Sequence, residues 1–129
     1  VEGEPSAEAL RAWHAVRTAQ QRAFEAIRPG VRCAEIDRVA RAALAEAGYG
    51  AGYEHLTHRL GHGIGMEGHE DPYFDGGSEV VLEPGMTLSD EPGVYVYGSF
   101  GVRIEDIIAV TADGADHFGA WQRGPSSPV

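Results

Sequence analysis

The sequence has no lysine and only one cysteine, and its 20 acidic residues outnumber its 10 basic ones. This balance argues against a nucleic-acid or anionic membrane partner, because binding a polyanion requires a basic face that displaces counterions. The lone Cys33 has no partner for an internal disulfide, which is typical of a reducing compartment. We therefore expect a cytoplasmic protein in which Cys33 is a small core residue.

Long apolar runs and several catalytic signatures are also missing. No run approaches the roughly 20 apolar residues that span a bilayer, and the N-terminal residues lack the basic-then-apolar pattern of a signal peptide. The chain has no Cys-x-x-Cys pair, no Gly-x-Ser-x-Gly elbow and no Walker motif. With 129 residues, 43% of them hydrophobic, it is expected to form one soluble domain or a large piece of one.

Two stretches carry apolar residues at helical spacing. The first predicts a helix from Ser6, a suitable N-cap, to Ile27, with Leu10 on its apolar face. The second predicts a helix from about Ala34 to Ala47, which Gly48 would terminate.

The second half of the chain has the texture of strands and turns. Segments 86–90, 94–97 and 102–110 are predicted strands, bounded by Pro-Gly pairs or glycines. The order predicts an α+β fold in which two helices cover antiparallel strands. Residues 122–129 have the composition of a disordered tail.

Three histidines, His58, His62 and His69, lie in a glycine-rich segment between the helices and the strands. Histidine is the commonest metal ligand and a frequent proton donor, so the cluster suggests a metal site, acid–base chemistry or both. The glycines beside His62 would leave room for an ion. A helical zinc motif is excluded, because Gly61 and Gly63 disfavour the helix that it requires.

Two glutamates follow in strand-like surroundings. Glu91 lies at the end of an apolar strand, directly before a Pro-Gly turn. Glu105 lies within segment 102–110, where alternation places it on the same face as Arg103. One interpretation is a solvated Arg103–Glu105 ion pair. The other is a metal site, because carboxylate oxygens are hard ligands suited to manganese, magnesium or zinc.

Four ordered motifs resemble those of the pita-bread metallopeptidases, the family of creatinase, aminopeptidase P and prolidase, and most of all the prolidase (Xaa-Pro dipeptidase) branch. They are Gly61-His62-Gly63-Ile64-Gly65 with His69-Glu70, Glu83-Pro84-Gly85-Met86, Glu91-Pro92-Gly93, and Gly101-Val102-Arg103-Ile104-Glu105-Asp106. The resemblance implies that residues 1–121 are the C-terminal portion of a pita-bread catalytic domain, with two helices followed by curved antiparallel strands.

The family holds two metal ions with two aspartates, one histidine and two glutamates, and the resemblance assigns the last three ligands to His62, Glu91 and Glu105. It implies Glu105 as the bridging ligand and Glu91 as a single-ion ligand and proton acceptor. The metal ions are expected to be manganese, with cobalt or zinc as alternatives. They would activate a water for attack on the scissile carbonyl.

His58, His69 and Arg103 match family residues that bind substrate and stabilise the tetrahedral intermediate. Arg103 would lie near the substrate carboxylate or the metal-bound carboxylates, since a guanidinium suits either. The implied activity is hydrolysis of Xaa-Pro dipeptides, and the implied assembly is a homodimer. Asp90 departs from the family, many members of which have an aliphatic residue there.

The two aspartate ligands would precede Val1, in an N-terminal part of the domain supplied by a preceding segment or by a separate chain. We therefore expect residues 1–129 alone to be inactive. Two alternatives remain open. One is a related C–N hydrolase, such as aminopeptidase P, creatinase or ectoine hydrolase, and the other is a non-catalytic binding module of the same fold.

Overall fold

The computed structural model describes residues 3–127 and begins with two helices. Helix α1 spans Ala7–Ala26 and helix α2 spans Cys33–Glu46, close to the predicted bounds. Ser6 is the N-cap of α1, as predicted, because its hydroxyl oxygen accepts a hydrogen bond from the Ala9 N–H at 3.1 Å. Leu10 differs from the prediction, since it is 38% exposed.

Helix α2 begins without a side-chain cap, and a distant segment replaces it. The N–H groups of Cys33 and Ala34 donate to the carbonyls of Val80 and Ser78, at 2.9 and 3.3 Å. These bonds satisfy donors that have no partner within a helix. At the other end, Gly48 adopts a φ of +89°, a left-handed conformation that ends the helix as predicted.

Seven short strands follow the helices within the described residues 3–127. They are β1 (Gly61–Gly63), β2 (Glu70–Phe74), β3 (Thr87–Asp90), β4 (Gly93–Val96), β5 (Phe100–Arg103), β6 (Asp106–Val110) and β7 (Ala115–His117). Five of them form a sheet in the order β2-β1-β3-β6-β7, and β4 pairs with β5 in a two-stranded sheet. Every one of these pairings is antiparallel, which confirms the predicted α+β class.

The single strand predicted over 102–110 is wrong: the chain forms β5 and β6 there, with Ile104 and Glu105 between them. The interruption lies opposite Pro92, which has no N–H to donate to a ladder. The Ile104 N–H crosses the gap, donating to the Pro92 carbonyl at 3.4 Å. Pairing resumes on either side in an unchanged register, with Gly93 opposite Arg103 and Asp90 opposite Asp106.

The core lies where the two helices pack on each other and on the strands. Cys33 is fully buried in it, as predicted. Its largest fully buried apolar side chains are Phe74, Ile27, Ile36, Leu60, Leu82, Leu88, Ile108, Val16 and Val94. Within residues 3–127, neither helix has the length and apolar character needed to cross a bilayer.

The end of the described chain forms a small turn, in which Gly124 and Ser127 make an isolated bridge. The predicted disordered tail extends to residue 129, and its last two residues lie outside the described range. Disorder over 122–129 stays a prediction.

Candidate metal centre

Three separate elements carry the predicted metal ligands to one place. His62 lies on β1, Glu91 follows β3 directly, and Glu105 lies between β5 and β6. One donor atom from each lies within 4.8 Å of the other two. His62 and Glu91 are buried, whereas Glu105 is exposed. The sequence motifs therefore meet in space as a histidine–dicarboxylate cluster.

The pairing of the strands explains how the two glutamates meet. The β3–β6 ladder ends at the pair Asp90 and Asp106, and the β4–β5 ladder begins in the same register. That register sets Glu91 opposite Glu105 in the interruption between the two ladders. Residues directly opposite each other present their side chains on the same face, so both carboxylates can reach a common ligand.

The glycines around His62 allow close contact between strands. A Cβ at Gly61 would overlap the backbone carbonyl of Ser89, and one at Gly63 would lie 2.7 Å from the carbonyl oxygens of Glu70 and Asp71. The space beside His62 is therefore filled by neighbouring backbone, not left open for an ion. Glycine is needed because β1 is pressed between β2 and β3.

Ser89 links the histidine to a glutamate. Its hydroxyl oxygen accepts the His62 N–H at 2.9 Å, and its own O–H donates to Glu91 Oε1 at 2.9 Å. Ser89 is fully buried, so this arrangement is shielded from water. Sequence reasoning missed it, although Ser89 stands two residues before Glu91 and thus on the same face of the strand.

The protonation of His62 suits a metal ligand. Its Nδ1 lies 3.0 Å from the carbonyl oxygen of Gly63, and a carbonyl only accepts, so Nδ1 carries the proton. The lone pair then sits on Nε2, which lies 3.1 Å from Glu91 Oε1. Two acceptors at this distance repel unless a cation or a proton lies between them. The donor set of one imidazole and two carboxylates thus fits a divalent ion.

Arg103 adds positive charge at the edge of the cluster. One of its guanidinium nitrogens, Nη1, lies 3.7 Å from Glu91 Oε2, and its Nε lies 4.0 Å from Glu105 Oε2. Half of the Arg103 side chain is exposed, so water screens both contacts. Arg103 therefore lies within 4.0 Å of both carboxylates, and its predicted role at the site stays a prediction.

The other two predicted histidines flank a cleft of about 390 Å³ beside the cluster. The His69 ring lies 4.0 Å from that of His62, and His58 Nε2 lies 3.0 Å from the Tyr95 hydroxyl. His58 Nδ1 donates to the Arg59 carbonyl at 2.6 Å, which leaves Nε2 to accept from Tyr95. The cleft is lined by His58, Arg59, His62, His69, Tyr73, Glu91 and Arg103.

A second polar cluster lies behind the predicted metal ligands, next to α1. Asp90 is fully buried, and burial raises the pKa of its carboxyl well above the usual value, assisted by the neighbouring charge of Asp106. The pKa of Asp106 is also raised by burial, although a hydrogen bond from Gln20 opposes the shift. The sequence showed Asp90 as a departure from a motif but gave no sign that it was buried.

The chain is similar to known proteins over most of its length. The family model described as metallopeptidase family M24 matches residues 1–112. A probable dipeptidase PepE of Mycobacterium tuberculosis (strain ATCC 25618 / H37Rv) is 50% identical over 113 residues, 88% of this chain and 29% of that protein. An Xaa-Pro dipeptidase of Lactobacillus delbrueckii subsp. lactis is 50% identical over 116 residues, 90% of this chain and 31% of that protein.

Solved structures agree with the fold. The prolidase from Pyrococcus furiosus superimposes with a TM-score of 0.89 at 40% identity, over 95% of this chain and 36% of that one. Dipeptidase PepE from Mycobacterium ulcerans gives a TM-score of 0.87 at 43% identity, over 95% and 32% of the two chains. The chain thus spans about a third of the length of the proteins that it matches.

Proposed function

The chain belongs to metallopeptidase family M24 and has the fold of a portion of a pita-bread domain, and on this premise we propose that it supplies part of the active site of an Xaa-Pro dipeptidase. The observation that carries the proposal is the meeting of His62, Glu91 and Glu105, whose donor atoms lie within 4.8 Å of one another. The similarity to an Xaa-Pro dipeptidase and to a prolidase supports the substrate class.

Two divalent metal ions, with manganese as the first candidate, are the proposed cofactors. His62, Glu91 and Glu105 would hold them, together with two aspartates from polypeptide outside residues 1–129. When bound, such ions supply Lewis-acid polarisation of a carbonyl and a water activated near neutral pH. Three ligands cannot complete two coordination shells, so the 129-residue chain by itself should bind manganese weakly and lack activity.

The side chains around the ligands have separate tasks. Ser89 fixes the orientation of the Glu91 carboxylate through its 2.9 Å bond to Oε1. Glu91, buried beside the cleft, is the proposed proton acceptor during attack on the peptide carbonyl.

His58, His69 and Arg103 line the cleft and are the proposed contacts for the dipeptide. An exposed guanidinium at the edge of a site can bind a free carboxylate through its planar fork. This suits a substrate that ends in a proline carboxylate. Homodimerisation and a cytoplasmic location remain expectations.

The test is hydrolysis of Gly-Pro and Ala-Pro by the full-length protein with manganese, followed by release of free proline. Glu105→Gln keeps the size of the side chain but removes the ligand charge, so activity and manganese affinity should both fall more than about tenfold. Glu67→Gln is the matched control, because Glu67 is exposed and is not one of the three clustered ligand residues. It should leave both quantities unchanged.

Turnover of a guanidino or N-acetyl substrate without cleavage of Xaa-Pro dipeptides would move the assignment to a related C–N hydrolase. Failure to hydrolyse any of these substrates, with manganese bound, would favour the non-catalytic binding module instead. Equal activity of Glu105→Gln and the unaltered protein would rule out the proposed site.

A further inference from the structure

A buried ion pair lies on α2, away from the metal ligands. Arg41 Nε donates to Asp37 Oδ2 at 2.7 Å, and its Nη2 donates to Asp37 Oδ1 at 3.0 Å. Both residues are buried, with exposures of 8% and 1%. A buried pair of this kind is weak evidence of stabilisation, because desolvation offsets the attraction between the charges. Its other contacts indicate what else it does.

The remaining Arg41 donors hold the loop that leads to the histidine cluster. Nη1 donates to the carbonyls of Gly52 and Leu56 at 2.9 and 2.8 Å, and Nη2 donates to the carbonyl of His58 at 2.7 Å. All five N–H groups of the guanidinium are therefore used. Residues 47–60 form no helix or strand, so their carbonyls have no regular ladder to join.

Asp37 fixes the other side of His58. Its Oδ1 accepts the N–H of Leu60 at 3.1 Å, a donor that Asp37 shares with the Phe74 carbonyl at 2.9 Å. The Leu60 carbonyl accepts the N–H of Glu91 at 2.9 Å. The ion pair is thus hydrogen-bonded to the backbone at His58 and at Leu60. Leu60, which donates to Asp37, is thus also bonded to Glu91, a metal ligand of the proposed site.

We propose that Arg41, held by Asp37, is a positioning residue that sets the backbone of His58 beside the substrate cleft. The inference rests on the proposed function for the role of His58. A lysine cannot substitute for Arg41, because one ammonium has three donors on a single point and lacks the planar fork that reaches three carbonyls and a carboxylate together.

The kinetic test uses the full-length protein with manganese and Xaa-Pro dipeptides. Two changes are compared: Arg41→Lys, and the double change Asp37→Leu with Arg41→Met, which removes the pair without leaving one buried charge. Both variants should raise KM roughly tenfold, because a tenfold change corresponds to one lost hydrogen bond to substrate. The values of kcat and manganese affinity should change less than about threefold. Arg38→Met, at an exposed position on the same helix, should change none of these.

Proteolysis of the full-length protein separates local release from general unfolding. Trypsin cleavage after Arg59, which is exposed and follows His58, should accelerate more than about tenfold in the double variant. Cleavage after Arg22, in the C-terminal part of α1, should not change. Equal acceleration at both sites would mean that the pair only stabilises the fold, and an unchanged KM would likewise overturn the proposal.

The two hypotheses can fail separately. If the unaltered protein cleaves no Xaa-Pro dipeptide, the proposed function fails, and the ratio of cleavage after Arg59 to cleavage after Arg22 alone decides whether Arg41 holds the loop. If the unaltered protein is active and both Arg41 variants keep its KM, the positioning role is wrong and the proposed function stands.

Discussion

Asp90 and Asp106 face each other as the last residue pair of the β3–β6 ladder, on the side of the sheet that meets α1. Gln20 of α1 bonds to both, donating to the Asp90 backbone carbonyl at 3.1 Å and to Asp106 Oδ2 at 2.8 Å. Among the described residues, no side chain or backbone group hydrogen-bonds either carboxyl oxygen of Asp90. Burial and the facing Asp106 carboxyl raise the pKa of Asp90, and the Arg17 guanidinium opposes the shift.

This relationship predicts a pH-dependent stability. The folded pKa of Asp90 lies well above 3.8, so the folded state keeps a proton that the unfolded state loses. The free energy of unfolding should therefore fall as pH rises above 3.8 towards the folded pKa. Asp90→Asn cannot ionise and should be more stable than the unaltered chain at pH 7, with the difference shrinking towards pH 3.8. Urea unfolding at several pH values measures this.

Asp116→Asn is the control for that experiment, since Asp116 is exposed on β7. It should show no comparable pH-dependent gain. A difference between Asp90→Asn and the unaltered chain that stayed constant from pH 4 to 8 would show that Asp90 is already ionised in the fold.

Ser89→Ala should affect both stability and the proposed metal site. The change leaves the buried N–H of His62 without its acceptor, which costs about 1–3 kcal/mol in free energy of unfolding. It also frees the Glu91 carboxylate, so manganese affinity in the full-length protein should drop about 10–100-fold. Denaturant unfolding and calorimetric titration measure the two effects. Ser99→Ala, in an exposed turn, should change neither the free energy of unfolding nor the manganese affinity. Equal manganese affinity in both variants would contradict the role of Ser89.

Gly61→Ala tests the close contact between β1 and β3. The added methyl group would overlap the Ser89 carbonyl, a backbone group that cannot move aside alone, so a loss of about 3 kcal/mol or more is expected. Gly68→Ala is matched in chemistry and meets no atom within 4 Å, and it should stay within about 0.5 kcal/mol of the unaltered chain. Thermal unfolding compares them. Similar melting temperatures for the two variants would show that β1 can shift.

The Cys33 thiol should be inert in the folded chain. Burial raises its pKa to about 11, so only about one molecule in a thousand carries a thiolate at pH 8. The side chain is also fully buried at the start of α2. Mass spectrometry should find no iodoacetamide adduct under native conditions and complete modification in urea. Rapid native labelling would mean that the start of α2 opens readily.

The sequence by itself determined the parts of this protein that depend on neighbouring residues. Ser6 and Gly48 mark helix ends through local hydrogen bonds and backbone conformation, so the helix bounds were predicted within about two residues. The ligand candidates His62, Glu91 and Glu105 could also be predicted, because each lies in a short motif of neighbouring residues. Their family was recognised from those motifs and confirmed by comparison.

Only the tertiary structure decided how these pieces meet. The interruption opposite Pro92 divides the predicted strand 102–110 and sets Glu91 opposite Glu105, because strand register depends on a partner distant in sequence. Gln20 meets Asp90 across 70 residues, and Arg41 reaches the carbonyl of His58 across 17. Burial and hydrogen-bond partners of this kind follow from packing, which no local pattern encodes.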